Sequence, residues 1–134
     1  MRYVLDASIA VAAEKLNEPI HSAARARVDR VLSGVDEICV PAIFAGEVAS
    51  ALTRSTTRSA VDILAYVRAL LADAEVFTIG PRAALAIAAV ATQSRLRAAD
   101  AAYVWAARRV GVALVTADAE LIKRSGSLCL VERA

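Results

Sequence analysis

The chain reads as a three-layer α/β fold with a mostly parallel, five-stranded sheet flanked by helices. Three observations carry this. Short runs of β-formers at 3–6, 37–40, 75–79, 112–116 and 127–131 alternate with helical patterns. The first run is apolar with no polar alternation, the habit of a parallel strand buried on both faces. The composition is 58% hydrophobic but only 4% aromatic, with much alanine, which suits helices packed tightly on a sheet. At 134 residues, one domain spanning 1–134 is the simplest division.

Strand one, 3–6, leads at once into a helix over 8–16. Asn17-Glu18-Pro19 breaks that helix, because proline cannot continue it. A second helix over 22–33 turns Val28, Val31 and Leu32 inward and shows Arg25, Arg27, Asp29 and Arg30 to solvent, with Gly34 as its stop. Strand two, 37–40, ends at Pro41, where a helix over 42–53 begins with Phe44, Val48 and Leu52 in register. The polar loop 55–59 precedes a helix over 60–71 with Ile63, Leu64, Val67, Leu70 and Leu71 as its apolar stripe. Strand three, 75–79, turns at Gly80-Pro81 into an alanine-rich helix over 81–93, proline standing at the first helical position. Arg95-Leu96-Arg97 connects to a helix over 98–110, stopped by Gly111. After strand four, 112–116, Asp118 opens a short helix that ends with Lys123, Arg124 and Gly126. Acid first and bases last complement the helix dipole. Strand five is expected at 127–131.

The formal net charge of +2 tolerates a nucleic-acid partner without demanding one. Cys39 and Cys129 both fall in expected strands, with no second cysteine or histidine at zinc spacing, so they read as small buried hydrophobes. No apolar run approaches the ~20 residues of a membrane span. Met1-Arg2-Tyr3 opens straight into strand one, so no signal peptide is expected and the cytoplasm is the expected compartment.

Four acids stand at equivalent places in consecutive units. Asp6 ends strand one and Asp118 follows strand four; if those strands are neighbours, the two carboxylates meet beyond the sheet edge, where α/β folds bind ligands. Glu47, among Ala45, Gly46, Val48 and Ala49, lies in the first turns after strand two. Asp100, in Ala98-Ala99-Asp100-Ala101-Ala102, opens the helix after Arg97. Plainer readings exist: Asp100 and Asp118 as helix-start acids, Glu47 paired with Arg54. A true cluster would repel itself by about 4 kcal/mol per pair at ~4 Å and an effective dielectric of 20. Protons or a cation must relieve that, and oxygen-only ligands suit Mg²⁺ or Mn²⁺.

These residues resemble the PIN-domain ribonucleases, in particular the toxin branch (VapC type) of VapBC toxin–antitoxin pairs. The matching pieces are Val4-Leu5-Asp6-Ala7-Ser8, Val40-Pro41 leading to Glu47-Val48, Leu96-Arg97-Ala98-Ala99-Asp100-Ala101-Ala102-Tyr103, and Leu114-Val115-Thr116-Ala117-Asp118. The resemblance implies a PIN-like fold with sheet order 3-2-1-4-5, which separates Cys39 from Cys129. It implies Mg²⁺- or Mn²⁺-dependent endonucleolytic cleavage of RNA, with Asp6, Glu47, Asp100 and Asp118 as the catalytic and metal-binding acids. Ser8 and Thr116 match supporting polar positions, and Glu120 an accessory acid. It implies a small antitoxin (VapB type) as partner, and a homodimer.

An acidic pit repels RNA, so a basic rim is needed. Arg97 and Arg95 are the preferred contacts, with Arg54, Arg58, Lys123 and Arg124 as further candidates. Tyr103 and Trp105 are at core-like spacing, and His21 has no assigned role. A haloacid-dehalogenase-like phosphatase would want an Asp where Ser8 stands. A receiver domain would want paired early acids and a late lysine, and neither pattern occurs. The remaining alternative is a PIN fold that binds RNA or a partner without cutting.

Overall fold

The computed structural model describes all 134 residues. Five parallel strands pair in the order β3-β2-β1-β4-β5. They are β1 Arg2–Leu5, β2 Glu37–Pro41, β3 Glu75–Phe77, β4 Ala113–Thr116 and β5 Val131–Arg133. The helices are α1 Ala7–Ala12, α2 His21–Leu32, α3 Phe44–Ser55, α4 Ala60–Leu71, α5 Pro81–Ser94, α6 Ala98–Val110 and α7 Ala119–Ser125. Helices α1 to α4 pack on one another, while α6 lies against β1, β2 and β4 and carries α5 on its other side.

The centre of the sheet follows from its apolar runs. Val4 stands beside Leu114 and Leu5 beside Val115 in the β1–β4 ladder. All four, with Tyr3, are completely buried. Strands that lose water on both faces can carry no polar alternation, which is why these stretches read so clearly. Among the helices, Tyr66 of α4 donates its hydroxyl to the Ala10 carbonyl at 2.7 Å, and His21 Nδ1 lies 2.9 Å from the Ala12 carbonyl. His21 therefore has a local role at the end of α1.

Several boundaries differ from expectation. Helix α1 stops at Ala12, and Leu16 is left in a turn, 86% exposed. Leu32 and Leu64, expected to face inward, are exposed, because α2 and α4 bury narrower stripes than their sequences offer. Pro41 belongs to the end of β2, and α3 begins at Phe44. Strand β3 ends at Phe77, short of Ile79. The fifth strand is not at 127–131 but at Val131–Arg133, since α7 and its following turn occupy the intervening chain. Cys129 thus lies in a bend and is half-buried, whereas Cys39 is buried in β2; both are free thiols.

One buried acid was not singled out by the sequence. Asp36 is 3% exposed and accepts two hydrogen bonds from Arg30, at 2.9 and 2.8 Å. It also accepts from the Tyr3 hydroxyl at 3.2 Å and from the Met1 amino group at 3.1 Å. The Arg30 hydrogen bonds hold its carboxyl well below the usual carboxylate range. A lowered folded-state pKa contributes stability above the unfolded value and loses it as pH falls through the folded one. Asp36→Ala should destabilise the fold by about 1–3 kcal/mol at neutral pH, because the buried Tyr3 hydroxyl loses its acceptor. Urea unfolding should show that difference shrinking as pH falls below about 4.

Candidate active site

The site begins at the end of β1. The Asp6 backbone N–H extends the ladder by donating to the Val115 carbonyl at 3.0 Å, which sets its side chain beside the end of β4. Asp6 is 6% exposed. Its Oδ2 accepts from Ser8 Oγ at 2.7 Å and from Thr116 Oγ1 at 2.6 Å. Burial pushes its pKa up, the two hydroxyls pull it back, and Asp118 adds to the upward shift. Ser8 and Thr116 also continue outward. Ser8 Oγ accepts from the Ala117 N–H at 3.3 Å, and Thr116 Oγ1 from the Asp118 N–H at 3.0 Å. Two hydroxyls therefore tie the carboxylate of strand one to the backbone after strand four.

Asp118 has two tasks. Its Oδ1 caps α7, accepting from the N–H groups of Glu120 and Leu121 at 2.8 and 3.2 Å. The plain helix-cap reading is thus correct for one oxygen. The other, Oδ2, lies 3.9 Å from Arg97 Nη2. Asp100, in the first turn of α6, has its Oδ2 3.4 Å from Arg97 Nε and accepts its hydrogen bond. Burial raises the Asp100 pKa, Arg97 lowers it, and Asp6 and Asp118 raise it further. Glu47, in the first turn of α3, is likewise raised by burial and then by Asp6 and Asp100. The four acids act on one another, although no three His, Cys, Asp or Glu side chains close to metal-ligand spacing. Their oxygen-only donor set fits a hard divalent cation.

A family model for the PIN domain matches residues 3–126. The chain belongs to the PIN-domain family. Three solved structures share the PIN fold. VapBC2 from Rickettsia felis, bound to a DNA fragment from its promoter, is 14% identical with a TM-score of 0.70, covering 99% of this chain and 98% of that one. PAE2754 from Pyrobaculum aerophilum is 21% identical with a TM-score of 0.70, covering 98% and 83%. FitAB bound to the IR36 DNA fragment is 14% identical with a TM-score of 0.68, covering 99% and 94%. No curated protein sequence matches this chain.

In this PIN domain the basic candidates divide. Arg97 stands over the acids with its side chain 83% exposed. Arg95 caps α5 in the left-handed region at φ 52°, and its carbonyl accepts from Arg124 Nη1 at 2.7 Å. Glu120 is paired with Arg124 at 2.8 Å and lines the same cleft as Asp100 and Asp118. Arg58 is engaged by Glu14 at 2.9 Å. Arg54 donates back to the Ser50 carbonyl at 3.4 Å rather than pairing with Glu47.

Glu47 instead takes a hydrogen bond from Tyr103, whose hydroxyl donates to Oε1 at 2.5 Å. Tyr103 is buried, as its spacing indicated, but its polar end reaches the site. The signal was present: a tyrosine three residues after Asp100 lies on the same helix face, and a buried hydroxyl needs a partner. Trp105 lies away from the acids, edge-on to Phe77 with centroids 6.1 Å apart and with the Arg109 guanidinium over its ring at 5.7 Å.

Raised folded-state pKa values mean that the folded acids hold protons the unfolded chain has released, so stability falls as pH rises from about 4 through the raised values. Asp6→Asn keeps an oxygen for Ser8 and Thr116 and removes the charge. Without divalent cation it should melt about 3–5 °C higher than the wild type at pH 7, with a flatter pH dependence in calorimetry. Tyr103→Phe should raise the Glu47 pKa further, seen as a shifted carboxyl titration by NMR.

Proposed function

We propose that this PIN domain is the toxin of a type II toxin–antitoxin system and acts as a Mg²⁺- or Mn²⁺-dependent endoribonuclease. The observation that carries the reading is the convergence of Asp6, Glu47, Asp100 and Asp118 from separate elements onto one sheet edge, with Asp6 buried and held by two hydroxyls. Burying like charges costs several kcal/mol unless a cation offsets it. These four acids would hold the cation. When bound, it supplies Lewis-acid activation of water and neutralises charge on the scissile phosphate. Ser8 and Thr116 fix the Asp6 carboxylate, and Tyr103 fixes Glu47. Arg97 and Arg95 hold the RNA backbone beside the pit. Cleavage leaves a 5′-phosphate and a 3′-hydroxyl.

The partner in this reading is a small antitoxin. A groove lined by Val11, Ile20, Ala51 and Ala117 runs to Ser8 and Asp118, and small side chains there leave room for an apolar helix. The VapBC2 and FitAB structures bear on this choice through their shared fold. A homodimer is part of the same proposal. A second reading is a PIN module that binds RNA or a partner without cutting; a divalent-cation titration separates the two, since such a module has no need of Mg²⁺ at the pit.

Asp6→Asn and Asp100→Asn should each lower Mg²⁺-dependent cleavage of total RNA by about 10²-fold or more, the scale of losing a group that stabilises developing charge. Mapped cut sites should vanish while the circular dichroism spectrum stays folded. Undiminished cutting by Asp100→Asn would remove the assignment. Charge reversal at Arg97 should weaken RNA binding and reduce its salt slope by about one.

A further inference from the structure

Beyond its place on the basic rim, Arg97 pairs with two of the acids that would hold the cation. It is the N-cap residue of α6 but makes no capping hydrogen bond. Its guanidinium instead spans acids from two elements, with Nε at Asp100 Oδ2, 3.4 Å, and Nη2 at Asp118 Oδ2, 3.9 Å. Its charge also pulls the Glu47 pKa down, against the upward push of burial. The side chain is 83% exposed, so little packing holds it there.

We propose that Arg97 is an internal counter-ion for the acidic pit, displaced by the divalent cation and thereby released to hold RNA phosphate. This rests on the metal-dependent reading above and adds an order to it: cation first, RNA second. A monovalent guanidinium and a divalent ion compete for the same carboxylate oxygens. Once the ion neutralises Asp100 and Asp118, attraction no longer holds Arg97 on them. An arginine fork then suits a phosphate on the pit's rim. The two effects of Arg97 on binding are therefore opposite in sign: it weakens the metal and strengthens the RNA.

The test is a Mn²⁺ titration at low salt, followed by loss of the free-ion EPR signal, on wild type, Arg97→Gln, Arg97→Lys, Arg95→Gln and Asp6→Asn. Arg97→Gln should bind Mn²⁺ roughly three- to tenfold more tightly than wild type, the scale of removing one charge near 4 Å at the surface. Arg97→Lys, which keeps the charge without the fork, should fall between them. Arg95→Gln, which forms no ion pair with the acids, should stay within about twofold. At high salt the wild type and Arg97→Gln should converge, because exposed pairs are screened. A short RNA bound to Asp6→Asn should gain nothing from added Mn²⁺, whereas wild type should gain more affinity than Arg97→Gln, because only wild type releases a guanidinium to the phosphate. Equal or weaker Mn²⁺ binding by Arg97→Gln overturns the counter-ion role alone. No Mn²⁺ binding by either wild type or Arg97→Gln, or undiminished binding by Asp6→Asn, overturns the nuclease reading with it.

Discussion

A buried carboxylate at the end of the first strand constrains everything around it. Asp6 is almost wholly removed from water, and its charge is tolerable only because Ser8 and Thr116 donate to the same oxygen. Those hydroxyls in turn accept backbone N–H groups from Ala117 and Asp118. The parallel pairing of β1 with β4 is what brings these groups within reach. A register slip of one residue would turn Thr116 away and leave Asp6 without a donor. Sheet register and site electrostatics are therefore one constraint.

The site as folded is a compromise between opposing charges. Burial and mutual repulsion push Asp6, Glu47 and Asp100 toward protonation, while hydroxyls and Arg97 pull them back. The far end of the sheet shows the contrasting solution. There Asp36 is as thoroughly buried, but Arg30 grips both its oxygens and depresses its pKa. One acid is satisfied by its partners and serves the fold. The others are left partly unsatisfied, and that residual affinity for positive charge is what a functional site requires.

The strands and helices were legible wherever burial was extreme. β1 and β4 lose both faces to the core, and their sequences show it. The last strand lies later than its sequence suggests because α7 and its turn run on through Leu128, while the short edge strand Val131–Arg133 buries little and leaves a weak pattern. Leu32 and Leu64 misled for a related reason. An apolar residue at helical spacing reports a possible face, not one that a neighbour covers. No local pattern marks Asp36, because its partners, Tyr3, Arg30 and the amino group, are scattered along the chain.

From the residues alone came the alternating α/β plan, the PIN resemblance and the four acids that the fold draws together. Each is a local pattern of spacing and burial that survives being read one segment at a time. Tertiary structure alone decided that Tyr103 holds Glu47, that Asp118 divides its oxygens between a helix cap and Arg97, and that Arg58 is spent on Glu14. These contacts depend on the direction in which a side chain leaves its element and on what the packing places opposite it. No one-dimensional period records either.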